Sequence, residues 1–489
     1  MSIAGAKVFF IVAGYAVQLL LPRIFGEAKE FGLYSAAMSG VSIFNNVLIV
    51  ATIQSVSRFV SENEAGAPVT LRQGLRVQTL VGGTSAAALF VLAPAVSRLL
   101  LDEQLTPLLR IASVMVFAYA LYATVVGSLN GRHLFGRQAR LDVTFSILRT
   151  TGILAGAALG IGAVGAVIGF AAAGASILSI ALIWVGWGKP GKGIPLRRWI
   201  RFMAPIWTYQ LFLNGVLLID IQVLKRTATE VALMSATTTQ AAVDIANQYV
   251  GYYRAAQTFA FVPYQLIISM TFIVFPMISK ATSLGNRDAA RSTIQHAMRL
   301  SLLLLLSVAA PISGAAEGVV RLAYPADYVA GAPALAILVF GIVAFALFAV
   351  AATAISGAGQ PSLAAGIAGV SLIVVVVANR LLIMRAGLSP ETLGAAATGT
   401  TIGMAVALVG SALAVYFLFG AFIPILTWIR AALAAGVVYA LAFSVPHTSP
   451  VLALGALALG FAAVVAVLVV SRELSSDDWH ALRRIVRRD

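Results

Sequence analysis

Arg149 is the first residue whose type and position call for a chemical explanation. It follows Asp142 by seven residues within an apolar stretch. On a helix that places it roughly 10 Å deeper, at about 1.5 Å rise per residue. Snorkelling covers only part of that distance. An ionisable side chain held within hydrocarbon is costly, and its usual explanation is function. Facing a hydrated cavity, Arg149 would attract an anionic headgroup. Paired with Asp142 or Asp220, it would instead tie two helices together. Arg254, Gln257, Phe261 and Gln265 recur at i, i+3, i+7 and i+11, which sets them on one helical face. A polar stripe of this kind must face protein or water rather than lipid. Arg23 and Arg58 stand at helix ends, where interfacial anchoring competes with a role in binding.

Neutral polar residues are spaced in the same way. Ser35, Ser39, Ser42 and Asn46 form one set, Tyr119, Tyr122 and Asn130 a second, Gln210 and Asn214 a third. Such groups can hydrogen-bond sugar hydroxyls. They also serve as interhelical glue, the reading favoured for the serines. Asp220 and Asp142 could exchange a proton with a coupling ion gradient or sit in ion pairs, and pairing is the simpler role. The expected substrate-binding set is therefore Arg149, Arg254, Arg23, Arg58, Gln257, Asn46, Tyr122 and Asn214. Asp220 and Asp142 form the ion-coupling or ion-pair set.

Catalytic and cofactor chemistry finds no support. There are no cysteines, and His133, His296, His447 and His480 share no metal-ligand spacing. The segment GAGQPS lacks the lysine and strand context of a phosphate loop, and ISGAG has no serine at the centre of a nucleophile elbow. No cofactor and no enzymatic activity are expected.

The elements that position these residues follow from composition. Of 489 residues, 60% are hydrophobic and 10% charged, with a mean hydropathy of +0.95. A soluble domain carries about 25% charged residues, so the chain reads as an all-α, polytopic membrane protein. Stretches of about 20 apolar residues occur at 3–22, 34–57, 76–100, 107–128, 138–160, 163–187, 199–221, 250–275, 292–314, 331–356, 361–384, 392–419, 423–444 and 450–471. The first lacks the basic leader and small-residue cleavage site of a signal peptide. The longest intervening segment, 222–249, reads as a loop. Kinks at Pro22, Pro94, Pro205, Pro263 and Pro276 could serve as hinges. The net charge of +15 reflects Lys and Arg biased to one face of the membrane, not nucleic-acid binding. Arg132, Arg137, Arg140, Lys189, Lys192, Arg197, Arg198 and Arg201 share that face with the tail LRRIVRRD. Both termini are thereby expected in the cytoplasm.

An internal repeat divides the chain. FGLYSAA at 31–37 matches VGYYRAA at 250–256 at an offset of 219, pairing Gly32 with Gly251 and Tyr34 with Tyr253. At the same offset Thr52 meets Thr271, Gly66 meets Gly285 and Arg72 meets Arg291. The copies open the second and eighth helices, six positions apart, so the repeat is parallel, an architecture of transporters. The expected organisation is a six-helix unit at 1–198, a second at 199–419, two further helices at 420–471 and a basic cytoplasmic tail at 472–489.

PRIFGEAKEFGLYSAA at 22–37, with Arg23, Gly26, Phe31, Gly32 and Tyr34, resembles the N-terminal signature of the polysaccharide and oligosaccharide-lipid flippases. These belong to the multidrug/oligosaccharidyl-lipid/polysaccharide exporter superfamily. LIDIQVLKR at 218–226 followed by VGYYRAA is similar to the family's second-half signature. LNGRHLFGRQA at 129–139 and AISGAGQPSLA at 354–364 resemble its turns before the fifth and eleventh helices. The resemblance implies translocation of a lipid-linked oligosaccharide or polysaccharide repeat unit by alternating access in the cell membrane. It implies partners among membrane lipids and glycan polymerase or assembly proteins. The alternative is an ion-coupled multidrug exporter of the same superfamily. That branch commonly carries an acidic residue in its first helix, and 3–22 contains none.

Overall fold

Apolar stretches of this length have only their own backbone to satisfy their N–H and C=O groups, so each becomes a helix. The computed structural model describes residues 3–236, 238–267, 287–420, 422–446 and 449–470. Among these, eleven helices are long and apolar enough to cross a membrane. Helices Phe135–Ala158, Thr239–Ala260 and Pro450–Val470 also stand at the three other expected spans, and residues 268–275 of the span 250–275 lie outside the described residues. Pro276, His447, His480 and the basic tail lie outside the described residues.

The helices gather into two compact units, Met1–Ala255 with Asn379–Thr392 and Ala256–Ala378 with Leu393–Asp489. The first unit begins with α1 (Ile3–Phe25), α2 (Ala28–Glu62), α3 (Ala67–Leu99) and α4 (Leu105–Gly131). It continues with α5 (Phe135–Ala158), α6 (Gly162–Val185), α7 (Leu196–Ala232) and the greater part of α8 (Thr239–Ala260). α2 packs on α4 and α7, and α1 packs on α5. Trp199 of α7 is enclosed against Phe59 of α2, with ring centroids 4.7 Å apart.

The segment 222–249 is not a loop. α7 continues to Ala232, α8 starts at Thr239, and only a short turn separates them. The segment looked polar because it carries Thr, Glu and Gln. Its Lys225 and Thr229 are nonetheless fully buried, so tertiary packing keeps it helical where hydropathy alone ends the helix.

Two glycine pairs set the α5–α6 packing. Gly152 and Gly156 on α5 face Gly169 and Gly165 on α6. A Cβ on any of the four would run into the carbonyl oxygen of its partner. Small residues four apart let two helix backbones touch, which is how helices associate where lipid offers no hydrophobic drive. The contact fixes α5 one turn from Arg149. Glu30 of α2 adds a cap to α6, its Oε2 accepting the Ala163 N–H at 2.9 Å.

In the second unit, α9 (Arg287–Gly314) packs on α11 (Ala332–Gly357) and on α14 (Ile425–Ser444) and α15 (Pro450–Val470). The short α10 (Ala316–Ala323) lies between α9 and α11 in sequence. α12 (Pro361–Ala386) and α13 (Thr392–Phe419) follow α11.

Candidate functional site

α1, α2, α5, α6, α7 and α8 enclose a cavity of about 190 Å³ within the first unit. Arg149 and Arg254 both line it, with Gln18, Tyr34, Ser35, Ser39 and Ser42 among their neighbours. Among the described residues that line it, none is acidic.

Arg149 is positioned by packing rather than by a carboxylate. Its Cζ lies 4.2 Å from the centroid of Phe10 on α1. Its Nη2 occupies the space a side chain at Gly14 would need, 3.2 Å from where that Cβ would sit. Thr150 alongside donates to the Ala13 carbonyl at 3.4 Å. The aromatic face steadies the cation while the guanidinium reaches the cavity. The structure thus sets Arg149 in the cavity lining.

Two buried carboxylates accept tyrosine hydroxyls. Asp220 is fully buried; its Oδ2 accepts the Tyr253 hydroxyl at 2.8 Å and its Oδ1 the Ile221 N–H at 2.9 Å. Asp142 accepts a 3.4 Å bond from the Tyr122 hydroxyl. Tyr122 thus belongs with Asp142 rather than with the lining. Asn46 and Asn214 join α2 to α7: Asn46 Nδ2 donates to Asn214 Oδ1 at 2.9 Å, and Asn214 Nδ2 to the Gln210 carbonyl at 2.8 Å. Ser39 does the same, accepting from Gln222 Nε2 at 2.7 Å. These bonds join α2 to α7 beside the cavity. Arg23 is exposed in the last turn of α1. Arg58 is exposed, pairs with Glu62 at 3.0 Å and lies 4.6 Å from the Phe202 centroid. Gln257 is buried in the second unit.

Three features escaped the sequence. Gln18 lines the cavity with a buried Oε1 that has no protein partner, and the Ser35 hydroxyl is similarly unpartnered. Phe10 reads as one more lipid-facing aromatic until α5 is placed beside it. The third feature is a close crossing of α2 and α8. Gly32 of α2 meets the Asn247 carbonyl of α8, and Gly251 of α8 meets the Ala28 carbonyl of α2. Ala28 and Asn247 are separated by the same 219 residues as Gly32 and Gly251. The contact is therefore reciprocal, as at a two-fold axis. Along both helices the cavity lining begins two to three residues beyond the crossing, at Tyr34 and Arg254.

Relatives share this architecture. The chain resembles a lipid II flippase, MurJ, in an inward closed conformation, with a TM-score of 0.76 at 15% identity over 96% of this chain and 99% of that one. It resembles an inward-facing multidrug resistance MATE family transporter of the MOP superfamily, with a TM-score of 0.64 at 17% identity over 88% and 96% of the two chains. A third is a MOP superfamily transporter from Pyrococcus furiosus noted for the reverse polarity of its binding pocket, with a TM-score of 0.57 at 17% identity over 89% and 97%. No curated protein sequence matches the chain significantly. The polysaccharide biosynthesis protein family matches residues 2–282. That match covers more than half the chain and includes every helix around the cavity, so the protein belongs to the polysaccharide biosynthesis protein family.

Proposed function

We propose that the protein flips a lipid-linked glycan across the cell membrane, with Arg149 and Arg254 holding the phosphate or diphosphate that joins lipid to sugar. The observation that carries this reading is two arginines, and no acidic residue among the described lining, in one small cavity. Arginine suits the task because its planar fork donates two parallel hydrogen bonds to phosphate oxygens. The lipid tail stays in the bilayer while the headgroup occupies the cavity.

Movement is by alternating access between six-helix units at 1–198 and 199–419, with 420–471 as added helices. The reciprocal Gly32–Asn247 and Gly251–Ala28 contact supports a two-fold relation between the repeats. In this reading both termini face the cytoplasm, and glycan polymerase or assembly proteins receive the product. An ion-coupled exporter of cationic drugs would need acidic groups in the cavity, and Asp220 is enclosed against Tyr253 instead.

The test is transport by the purified protein in vesicles loaded with a fluorescent polyprenyl diphospho-sugar. Arg149→Ala and Arg254→Ala should each stop flipping without loss of folded protein, and the corresponding lysine variants should retain part of it. Full flipping by the double alanine variant would end the proposal. Uptake of an organic cation by the native protein would favour the exporter.

A further inference from the structure

Beside the α2–α8 crossing the bundle holds an ion pair that the transport reading leaves unused. Lys225 of α7 lies 2.9 Å from Asp102 Oδ2, in the turn between α3 and α4, and both side chains are at most 1% exposed. Asn247 Nδ2 donates to the same Asp102 oxygen at 3.2 Å. The Gln104 N–H bonds the other carboxylate oxygen at 3.0 Å, and Lys225 Nζ reaches the Val243 carbonyl at 3.4 Å. Asn247 is also the residue whose carbonyl rests on Gly32. One residue therefore connects the buried pair to the α2–α8 crossing. Two further links join the same ends: Lys29 of α2 to Asp244 of α8 at 3.4 Å, and Arg226 Nη1 to the Leu99 carbonyl at 2.7 Å.

We propose that Asp102, Lys225 and Asn247 form a latch that holds α8 across α2 over the cavity, and that it must open for the cavity to communicate with the side on which α2 begins. The chemistry of the pair favours a contact that opens. In a static core, well-packed apolar residues serve as well as a buried ion pair or better. Apolar residues would also resist parting, because opening would expose them to water. Separated charges instead recover their hydration, so an ion pair holds a closed state without making the open one inaccessible. The pair lies where opening would act. Leu218, which lines the cavity, precedes Lys225 by seven residues on the same helix, about 10 Å at 1.5 Å per residue. The latch rests on the transport reading for its purpose but not for its test.

The chain has no cysteine, so a single Ser42→Cys reports access to the cavity. In intact cells, labelling by a membrane-impermeant maleimide should be slow in the otherwise native chain. Added Asp102→Asn or Lys225→Met should speed it at least tenfold. Unchanged labelling in variants that remain folded would overturn the latch, and a lowered melting temperature alone would mark a purely structural pair. A second measurement leaves the pair intact. Lys29→Cys with Asp244→Cys, bridged by a bis-methanethiosulfonate, should arrest flipping of a polyprenyl diphospho-sugar until a reductant is added. Flipping that continues through the bridge would also overturn the latch. Faster labelling in Asp102→Asn from a protein that moves no glycan would keep the latch and remove the glycan reading.

Discussion

Replacing Arg149 tests the cavity reading most directly, because the structure ranks three substitutions before any measurement. A hydrogen bond to a charged group contributes about 1.5–3 kcal/mol. If Arg149 donates two to one diphosphate, Arg149→Ala should cost about 3 kcal/mol of headgroup binding or more. That is roughly a hundredfold or greater rise in Kd, at about 1.4 kcal/mol per tenfold. Arg149→Lys keeps the charge and loses the fork, so about 1.5 kcal/mol and roughly tenfold are expected. Phe10→Leu leaves the guanidinium in place but removes the ring 4.2 Å from its Cζ. A cation–π contact contributes about 0.5–1 kcal/mol at exposed sites and more when desolvated, so a loss of about threefold to tenfold follows. Binding of a polyprenyl diphosphate without sugar, measured on purified protein in nanodiscs, gives the series. Combining Arg149→Ala with Arg254→Ala adds a cycle. Two arginines on one diphosphate should show a coupling of about 0.5–3 kcal/mol. Equal affinities for the native and Arg149→Ala proteins would refute the reasoning. So would losses that follow unfolding temperature instead of the order alanine, lysine, leucine.

Three other outcomes are expected. Gly169→Ala puts a methyl group into the Gly152 carbonyl, so α5 and α6 should separate at a cost of about 1–3 kcal/mol, read as a lower melting temperature and reduced membrane abundance. Asp220→Asn retains an acceptor for the Tyr253 hydroxyl, now 2.8 Å from Asp220 Oδ2, and should flip glycan within a few-fold of the native rate. Asp220→Leu removes that acceptor from a buried hydroxyl, at about 1–3 kcal/mol of stability; abolished transport in a stable Asn variant would assign Asp220 to ion coupling. Cysteines introduced at Lys192 and Arg487 should react from the same side of the membrane, and labelling from opposite sides would refute cytoplasmic placement of both the 188–198 segment and the tail.

The sequence by itself determined the membrane class, the helical fold and where helices stand. Those depend on local quantities, chiefly the length and hydropathy of each stretch, and hydrocarbon forces each stretch to satisfy its own backbone. It also placed Arg149 at a depth where a charge needs a reason, and it carried the repeat whose paired glycines meet at the crossing. Tertiary structure decided what each polar group does. Ser35 and Ser42 belong to the cavity lining while Asn46 and Asn214 bond each other, although all four look alike as small polar groups on apolar helices. Asp220 accepts the hydroxyl of Tyr253 on another helix, 33 residues away, a bond that no local spacing announces. Lys225 sat in what hydropathy marked as a loop, yet it is fully buried against Asp102. The physical reason is the same in each case. Helix formation within hydrocarbon is a property of one segment, whereas the role of a buried polar side chain is set by its nearest partner, and that partner comes from another helix.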